Sequence, residues 1–519
     1  MEELDTPAAV VDLDRLERNL ERWLLRVKRA LLSLLAGAAL ALLAGSSASP
    51  AAPGSFVIRS GPRLTLEGRP FRFGGANVEW LGLAGYGPAD PAGPRYPSNY
   101  EIDDALATAQ ELGATVVRSQ TMGDSVGCEP CLEPTLGHFN AAAFERVDYA
   151  LASARRHGIR IIPTIVGDDA RAGGSGCVYL GWRGLRAPGC SLIEMAPFWT
   201  DQTVIGDIEE HIRALLEHVN VYTHVAYRDD PTILGWDLLN GGGSPPPWTW
   251  QIVTFVRGLD SRHLILSSPA NAGLDAVDAC VAFVYPHWFQ ALDTVKRGIA
   301  ACKAAGKPFL AYEYGWDATN YGTQTGLRAF LRTLEQDPRV AGDAFWALQA
   351  HQDGHGWMPI PAPSSDPTTA IHGESGQWWA LYYPGIQTMV STAGDMAARA
   401  QIIRTHNYAM RGVRAPRHLR PPAPTVTSAA YGPTSFVGRV GARVYWQGSA
   451  GAATYSVQRA PASGGPWTTL CKRCVTDLDD GFVDLSAGAK GSWYRVVPYN
   501  LDGRPGPASP PVKSSARSG

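Results

Sequence analysis

The sequence has no excess of charge of either sign. It contains 46 Lys and Arg against 48 Asp and Glu, a formal net charge of −2. A clear positive surplus is what draws a protein to nucleic acid or to an anionic surface. We therefore expect no nucleic-acid partner and favour a neutral ligand. The 16 Trp and 19 Tyr supply flat rings with a polar tip, which suit the apolar faces and hydroxyl edges of sugars.

The N-terminal region lacks an apolar run of membrane-spanning length. Residues 30–44 form an apolar run of about 15 residues, which is below the ~20 residues that cross a bilayer. Positive charges at 26–29 precede this run, and the small residues 46–48 follow it. This order is typical of a signal peptide. We predict a signal peptide at 26–48, secretion, and no permanent membrane span after cleavage.

Residues 1–25 do not fit a signal peptide. The segment LDTPAAVVDLDRLERN at 4–19 resembles the opening of pyridoxal-phosphate proteins of the alanine racemase and D-threonine aldolase type. The resemblance ends before any position for that family's cofactor lysine, so no cofactor site carries over and we expect no cofactor. We interpret 1–25 as an extraneous, misplaced or fused start, with the true protein, signal peptide included, beginning near Val27.

The eight cysteines fall into four close pairs. An even number of locally paired cysteines in an exported chain predicts disulfides. Zinc is the alternative, since two pairs have C-x2-C spacing, but neither has a histidine at ligand spacing. We therefore predict disulfides and no metal site. The pairs are Cys128 with Cys131, Cys177 with Cys190, Cys280 with Cys302, and Cys471 with Cys474.

The chain of 519 residues is long enough for more than one domain. Between 55 and 411, short β-rich runs alternate with longer amphipathic stretches, which predicts parallel strands joined by helices. Ser98 is placed to cap a helix through Leu112, and Asn140 to cap one through His157. Eight strands are the number that a (β/α)8 barrel needs. The predicted strands are 71–80, 114–119, 159–166, 232–239, 263–268, 280–285, 308–314 and 343–348.

Polar side chains follow the carboxyl ends of most of these strands. In a (β/α)8 barrel these ends and the loops after them build the site. A single Arg or Asp at such a position is usually a structural ion pair, but a set spread over many strands favours a site. The set is Asn77, Glu79, Arg118, Asp168, Asp169, Asn240, Tyr285, His287, Glu313 and Trp346.

Four segments of this region resemble the β-mannanases of glycoside hydrolase family 5. LEHVNVYTHVAYRDDPTILGWDLLN at 216–240 is similar to the helix and fourth strand of that family, and KPFLAYEYG at 307–315 to its seventh strand. GDAFW at 342–346 is similar to the eighth strand, and TVVR at 115–118 to the second. The resemblance implies a secreted retaining glycosidase that takes a β-linked polysaccharide or oligosaccharide. Mannan ranks before glucomannan and cellulose-like chains, and a cellulase-like endoglucanase relative is the alternative. We expect a monomer.

Carried over by position, the resemblance makes Glu313 the nucleophile. It makes Arg118 and Asn240 supports for the nucleophile and a sugar hydroxyl, Tyr285 a neighbour of the nucleophile, and Trp346 a floor on which a sugar ring stacks. A retaining glycosidase also needs a second carboxylate that protonates the leaving oxygen and later activates water. The complete set of predicted substrate-binding residues is Arg118, Asn240, Tyr285, Trp346, Asn77, His287 and Trp80.

The sequence lacks the acid/base glutamate where the family has it. That residue follows the asparagine of the fourth strand, but here Asn240 is followed by Gly241. The family's histidine two residues before Tyr285 is also replaced, by Phe283, unless His287 takes its role. The nucleophile is therefore present, but the proton-transfer group is not in its usual place.

Three interpretations of the missing carboxylate remain open. In the first interpretation, Asp168 or Asp169 substitutes for the acid. Asp237, inside its strand, is a weaker candidate for the same role. Alternatively, the barrel binds a β-glycan with little or no turnover, since loss of general acid/base help costs about 10²–10⁴-fold. A third interpretation is glycosyl transfer to an external nucleophile or a sugar. If the protein is not an enzyme, the alternative is an adhesion or scaffold protein.

The C-terminal part has the composition of a second domain. The proline-rich segment 412–424 predicts a semi-rigid linker. Short alternating strands at 425–511, such as 442–446, 455–459 and 493–500, predict a β-sandwich that resembles a fibronectin type III module. We interpret it as a spacer rather than a sugar binder. Asp477, Asp479 and Asp480 are expected to form a solvated acidic turn rather than a calcium site.

Overall fold

The computed structural model of the chain describes most of the sequence after its N-terminal region. The described residues are 53–85, 93–167, 175–186, 195–240, 243–285, 291–316, 324–358, 380–388, 391–434, 439–486 and 488–516. The predicted signal peptide and the segment before it lie outside this part of the chain.

The central feature is a sheet of eight parallel strands that closes on itself. A small antiparallel sheet precedes it, formed by β1 (Val57–Ser60), β2 (Arg63–Leu66) and β3 (Arg69–Phe71). The barrel strands pair in the order β6-β5-β4-β11-β10-β9-β8-β7, and parallel bridges such as Ile161 to Ile233 join its two ends. The strands are β4 (Phe73–Asn77), β5 (Val116–Ser119), β6 (Arg160–Pro163), β7 (Gly235–Asp237), β8 (Leu264–Ser267), β9 (Ala279–Phe283), β10 (Phe309–Tyr314) and β11 (Val340–Phe345).

Helices cover the outside of the barrel and supply the connections between parallel strands. In the described part of the chain they are α1 (Asn99–Glu111), α2 (Ala141–Arg156), α3 (Ser175–Trp182), α4 (Ala196–Thr200), α5 (Gln202–Glu217), α6 (Pro246–Leu259), α7 (Ala291–Ala304), α8 (Gln324–Gln336) and α9 (Ala393–Met410). This arrangement confirms the predicted (β/α)8 barrel.

The two helices predicted from their caps begin and end where expected. The Ser98 side chain accepts a hydrogen bond from the Glu101 amide, and the Glu101 carboxylate accepts one from the Ser98 amide, which is a complete capping box. The Asn140 side chain accepts from the Ala142 amide at the start of α2. Gly113 and Gly158 follow the two helices with positive φ, a conformation that glycine adopts without strain.

Most of the barrel strands lie within their predicted ranges and are shorter. The clearest error is the eighth strand, which was predicted at 343–348 but runs over Val340–Phe345. In the structure Gly342 lies inside the strand. A glycine is needed there because a Cβ at this position would collide with the ring of Phe73. Packing therefore explains this glycine, and a turn does not.

Two layers of apolar side chains hold the barrel together. Residues pointing inward from the strands, among them Phe73, Ile162 and Leu310, fill the interior. A larger cluster fills the space between strands and helices and contains Trp236 and Trp248. Strands that are buried on both faces explain why the sequence shows near-continuous apolar runs rather than alternation.

Two sheets form the C-terminal region, antiparallel throughout except where β12 pairs with β19 in parallel. One pairs β16 (Phe482–Asp484), β13 (Val440–Gln447), β12 (Thr425–Pro433) and β19 (Ser515–Ala516) in that order. The other pairs β15 (Thr468–Val475), β14 (Thr454–Ala460), β17 (Trp493–Tyr499) and β18 (Val512–Lys513). Trp446, Tyr455 and Tyr494 lie in the core between them. The predicted all-β module is therefore present.

The β-module contacts the barrel through buried polar groups. His351, in the loop after β11, lies between Asp104 of α1 and Asp477 of the module, at 2.9 Å and 3.1 Å. Because Asp477 is buried and also accepts a hydrogen bond from Tyr455, the prediction of a solvated acidic turn is wrong for this residue. The linker is fixed as well, since the amide of Leu419 donates to Glu111 of α1 over 2.7 Å.

Disulfides join three of the predicted cysteine pairs. They are Cys128–Cys131, Cys280–Cys302 and Cys471–Cys474. Cys177 is also disulfide-bonded, and its predicted partner Cys190 lies outside the described residues. Over the part of the chain that the structure describes, no helix is both long and apolar enough to cross a bilayer.

Candidate active site

Arg118 organises a cluster of polar side chains at the carboxyl ends of the barrel strands. It lies at the end of β5, and its side chain is fully buried. Nε and Nη2 donate to Oδ2 of Asp237 at 3.0 and 2.7 Å, and Nη2 also donates to Oδ1 of Asn240 at 2.7 Å. Nη1 donates to Oδ1 of Asn77 at 3.2 Å and to Oε2 of Glu313 at 2.9 Å.

These contacts use the full hydrogen-bonding capacity of the guanidinium group, which has five N–H donors in a rigid plane. The group also lies over the ring of Tyr312, 4.3 Å from its centroid. Burial favours the neutral form, but Asp237 and Glu313 outweigh it and keep the pKa of Arg118 above its ordinary value. Arg118 is therefore a fixed positive charge that positions carboxylates from two other strands.

Glu313 is held from two sides near the end of β10. Arg118 binds one carboxylate oxygen, and the hydroxyl group of Tyr285 donates to the other, Oε1, over 2.8 Å. Glu313 is 7% exposed. Burial raises its pKa to about 7, although Arg118 and Tyr285 both favour the charged form. A carboxylate with this orientation and restricted access to water is suited to attack a carbon atom placed above it.

Asp237 does not have the freedom that a proton-transfer group needs. Its side chain is fully buried in β7, and Oδ2 accepts from Arg118 and from Oγ1 of Thr164 at 2.8 Å. It lies below the cluster as a structural counter-ion of Arg118. These contacts disfavour Asp237 as a substitute acid. Asn240, which follows β7, is half-buried at the level of the cluster.

Asn77 and Trp80, both predicted to bind substrate, are buried. The Nδ2 of Asn77 donates to the carbonyl oxygens of Tyr312, Ala344 and Phe345 at 3.1–3.3 Å, and its side chain is inaccessible. Trp80 is 4% exposed and packs in the core. In this structure Asn77 supports Arg118 from below, and the Trp80 ring offers no open face to a sugar.

Aromatic side chains lie beside Glu313 on the neighbouring strands. Trp346 directly follows β11 and is half-buried, with its amide donating to the carbonyl oxygen of Tyr314 over 2.7 Å. Phe283, which stands in place of the family histidine, stacks on Tyr312 at 5.4 Å between ring centroids. The half-buried rings of Trp346 and Phe283 leave apolar surface next to the carboxylate cluster.

Several positions that bear on the site lie outside the described residues. They are Asp168, Asp169, Gly241 and His287. Their predicted roles stay predictions.

Glu79 is the residue that sequence reasoning passed over. It was noted as a polar residue after the first barrel strand but given no role. The structure places it half-buried just after β4, with its carbonyl oxygen accepting from Oγ of Ser119 and Oγ1 of Thr121 at 3.0 and 2.6 Å. Burial, followed by the negative charge of Glu313, raises the pKa of Glu79 to about 7. The signal available in the sequence was its position at a strand end.

The arrangement is suited to chemistry that uses carboxylates and fixed hydrogen-bond donors. In the described part of the chain, no cluster of three or more His, Cys, Asp or Glu has the geometry to hold a metal ion. The cluster does contain one carboxylate fixed by a cation and a phenol, a second carboxylate near it, and apolar rings beside them. Two carboxyl groups whose environments push their pKa values apart are the mark of an acid/base assignment.

Comparisons with known proteins match the barrel region to a known family. Residues 54–295 match the family model described as glycoside hydrolase family 5 β-mannosidase-like. The chain is 31% identical over 395 residues to mannan endo-1,4-beta-mannosidase 1 of Oryza sativa subsp. japonica, covering 64% of this chain and 89% of the rice protein. It is 33% identical over 371 residues to mannan endo-1,4-beta-mannosidase 7 of Arabidopsis thaliana, covering 60% and 83%.

The fold has counterparts among solved structures. A mutant of the glycoside hydrolase family 5 mannosidase from Rhizomucor miehei matches with a TM-score of 0.55 at 18% identity. The match covers 69% of this chain and 98% of the Rhizomucor chain. At this identity the likeness supports the barrel fold alone.

Proposed function

This chain belongs to glycoside hydrolase family 5, and from that premise we propose that it is a secreted retaining glycosidase that cleaves β-mannan-type polysaccharide. The observation that carries the proposal is the position of Glu313, which Arg118 and Tyr285 hold at 2.9 and 2.8 Å. In the proposed reaction Glu313 attacks the anomeric carbon and forms a glycosyl ester, which water then hydrolyses.

The proposed substrate contacts come from residues around Glu313. Asn240 is half-buried, and because its Oδ1 accepts from Arg118, its Nδ2 is directed to a different partner, which we propose is a sugar hydroxyl. Trp346 provides a partly open ring for the apolar face of a sugar, the type of contact that aromatic side chains make with carbohydrates. Mannan is the proposed polysaccharide because the rice and Arabidopsis relatives are mannan endo-1,4-beta-mannosidases by name.

Secretion is proposed from two observations. Residues 26–48 have the order of charge, apolar run and small residues that a signal peptide has. Disulfides at Cys128–Cys131, Cys280–Cys302 and Cys471–Cys474 persist in oxidising compartments outside the cytosol. The expected native N-terminus therefore lies after residue 48, and N-terminal sequencing of the exported protein measures it.

For the C-terminal module we propose the role of a fixed spacer of the fibronectin type III kind. The contacts of His351 with Asp104 and Asp477 support a fixed orientation relative to the barrel. Three of its aromatic residues, Trp446, Tyr455 and Tyr494, are buried in its own core, which disfavours their use as a sugar-binding surface. Deletion of 425–511 should therefore leave mannan affinity unchanged and lower stability.

The main experiment measures hydrolysis of β-mannan and of an activated aryl β-mannoside by the wild type and by Glu313→Ala. The expected result is turnover by the wild type, with the β configuration retained in the first product, and none by the variant. Arg213→Lys, an exposed substitution on α5, is the control for effects of producing and purifying a variant.

A binding protein with little turnover is the second candidate, and the glycine at position 241 favours it because that position carries no acid. It would bind mannan as tightly with Glu313→Ala as without the substitution, and it would hydrolyse neither substrate. An inverted first product would instead contradict the proposed nucleophile.

A further inference from the structure

The barrel needs a source of protons other than position 241, where glycine has no carboxyl group. A leaving sugar alkoxide is a poor leaving group, so a glycosidase on polysaccharide depends on a proton donor. Of the described acidic residues around Arg118, Asp237 is held by Arg118 and Thr164 below the site. Glu313 is held by Arg118 and Tyr285. Among these described residues at this end of the barrel, Glu79 is the carboxyl group that remains.

The fold places Glu79 on the same rim of the barrel as Glu313. Its strand, β4, pairs with β11, and β11 pairs with β10, so that Ala76 aligns with Phe345 and Phe345 with Tyr314. Glu79 lies two residues after the end of β4, and Glu313 precedes Tyr314. Both residues therefore lie at the same end of the barrel, on strands separated by a single strand.

The backbone at Glu79 is fixed by the neighbouring strand. Its carbonyl oxygen accepts from Oγ of Ser119, from Oγ1 of Thr121 and from the Thr121 amide, at 3.0, 2.6 and 3.0 Å. Three hydrogen bonds to one carbonyl oxygen restrict the movement of this turn. A proton donor that is fixed in position is more effective than one on a mobile loop.

The surroundings of the two carboxyl groups differ in the way that an acid and a nucleophile require. Glu313 has a cation and a phenol donating to it, which favour its ionised form. No described side chain donates a hydrogen bond to the carboxyl group of Glu79, and Glu313 acts on it through negative charge. When the pair holds one proton, that proton belongs on Glu79, because ionising both places two negative charges close together.

We propose that Glu79 is the acid/base residue of this barrel, in place of the family glutamate that Gly241 replaces. This inference rests on the proposed function and identifies the residue that completes it. In the first step the Glu313 carboxylate bonds to the anomeric carbon, the bond to the leaving oxygen breaks, and Glu79 gives its proton to that oxygen. In the second step Glu79 takes a proton from water, the water oxygen bonds to the anomeric carbon, and the ester to Glu313 breaks.

The test compares Glu79→Gln and Glu79→Ala with the wild type on two substrates. Hydrolysis of β-mannan, which has a poor leaving group, should fall by about 10²–10⁴-fold in kcat/KM. An aryl β-mannoside with a good leaving group needs no proton, so its first step should change much less. Sodium azide should then restore turnover in Glu79→Ala with β-mannosyl azide as product, since azide attacks the glycosyl ester without giving up a proton.

Controls separate this inference from the proposed function. Glu210→Gln, an exposed change on α5, should leave both substrates unaffected, and thermal unfolding checks that each variant is folded. Wild-type mannan hydrolysis that survives Glu79→Gln but is lost in Glu313→Ala would overturn the role of Glu79 and leave the proposed function intact. No turnover of any β-mannoside by the wild type would overturn both.

The pH profile gives an independent readout. The alkaline limb of wild-type kcat/KM on mannan should reflect loss of the Glu79 proton, and Glu79→Gln should remove that limb from the residual activity. In the part of the chain that the structure describes, Glu313 is the charged group that acts on Glu79, and Arg118, Asp237 and Tyr285 in turn act on Glu313. An alkaline limb that remains in Glu79→Gln would contradict the assignment.

Discussion

Nη1 of Arg118 donates a hydrogen bond to Oε2 of Glu313 over 2.9 Å, and both side chains are almost fully buried. Arg118 therefore determines where the proposed nucleophile lies. The remaining donors of Arg118 hold Asp237, Asn240 and Asn77, so that strands β4, β5, β7 and β10 share one cation. Lysine has three donors on a flexible stem and does not reproduce this planar set.

Arg118→Lys should lower kcat/KM on β-mannan by about 10²-fold or more, because a misplacement of a reacting group by ~1 Å has an effect of this size. Steady-state kinetics measure it. Arg213→Lys on α5, where the side chain is exposed, is the matched control and should have no effect. Unchanged kinetics in Arg118→Lys would mean that Glu313 does not depend on Arg118 for its position.

Tyr285→Phe should move the acidic limb of the pH profile to higher pH. Burial raises the pKa of Glu313 to about 7, and the hydrogen bond from Tyr285 works against that rise. Without the hydroxyl group the pKa rises further, and Glu313 becomes ionised only at higher pH. A hydrogen bond to a charged group contributes about 1.5–3 kcal/mol, so the limb should move by about one pH unit or more.

The measurement for Tyr285→Phe is kcat/KM between pH 4 and 8 on the aryl substrate. Tyr382→Phe is the control, since its buried hydroxyl group donates to the carbonyl oxygen of Met358 away from the site. If both variants shift the limb equally, the effect is one of general stability rather than of Glu313.

The contact between barrel and β-module should weaken as the pH rises above neutrality. Burial opposes the charge of His351, but Asp104 and Asp477 outweigh it and raise its pKa to about 10. Since an unfolded histidine has a pKa near 6.5, the stabilisation is complete below about pH 6.5 and is lost as pH rises through about 10. The free energy of unfolding should fall by up to about 1.4 kcal/mol per pH unit in this window.

Urea unfolding at several pH values between 6 and 10 measures that slope. His351→Gln should reduce it, and His138→Gln, an exposed change, should not. Part of the slope should remain, because Asp343 and Glu335 outweigh burial at His406 and raise its pKa to about 9. A slope identical in His351→Gln and wild type would contradict the ion pair.

Gly448→Ala should destabilise the same interface. A Cβ atom at this position would collide with the ring of His351, and the ring is enclosed by Asp104, Asp477 and Trp357. Overpacking of this kind costs about 1–3 kcal/mol. Gly464→Ala is the control, because a Cβ there meets nothing within 4 Å. Equal unfolding free energies for the two variants would show that the interface adjusts freely.

Local sequence signals determined much of the architecture. The Ser98 and Asn140 caps, with a glycine after each helix, fixed the ends of α1 and α2 because capping depends on residues a few positions apart. Apolar runs located the eight barrel strands, and family motifs located Glu313. Strand ends were less certain, since packing decides them, as Gly342 beside Phe73 illustrates.

Tertiary structure alone decided which polar residues face a substrate and which support the site. Asn77 and Trp80 stand at a strand end like Glu79, yet both are buried. Asp477 of the β-module was expected in solvent, but it pairs with His351 in the loop after β11 of the barrel. Burial and electrostatic coupling arise from residues distant in sequence that the barrel brings together, so no local pattern contains them. The sequence by itself determined the strands, the helix caps and the proposed nucleophile; the closed barrel decided that Glu79 lies close enough to Glu313 for their charges to interact.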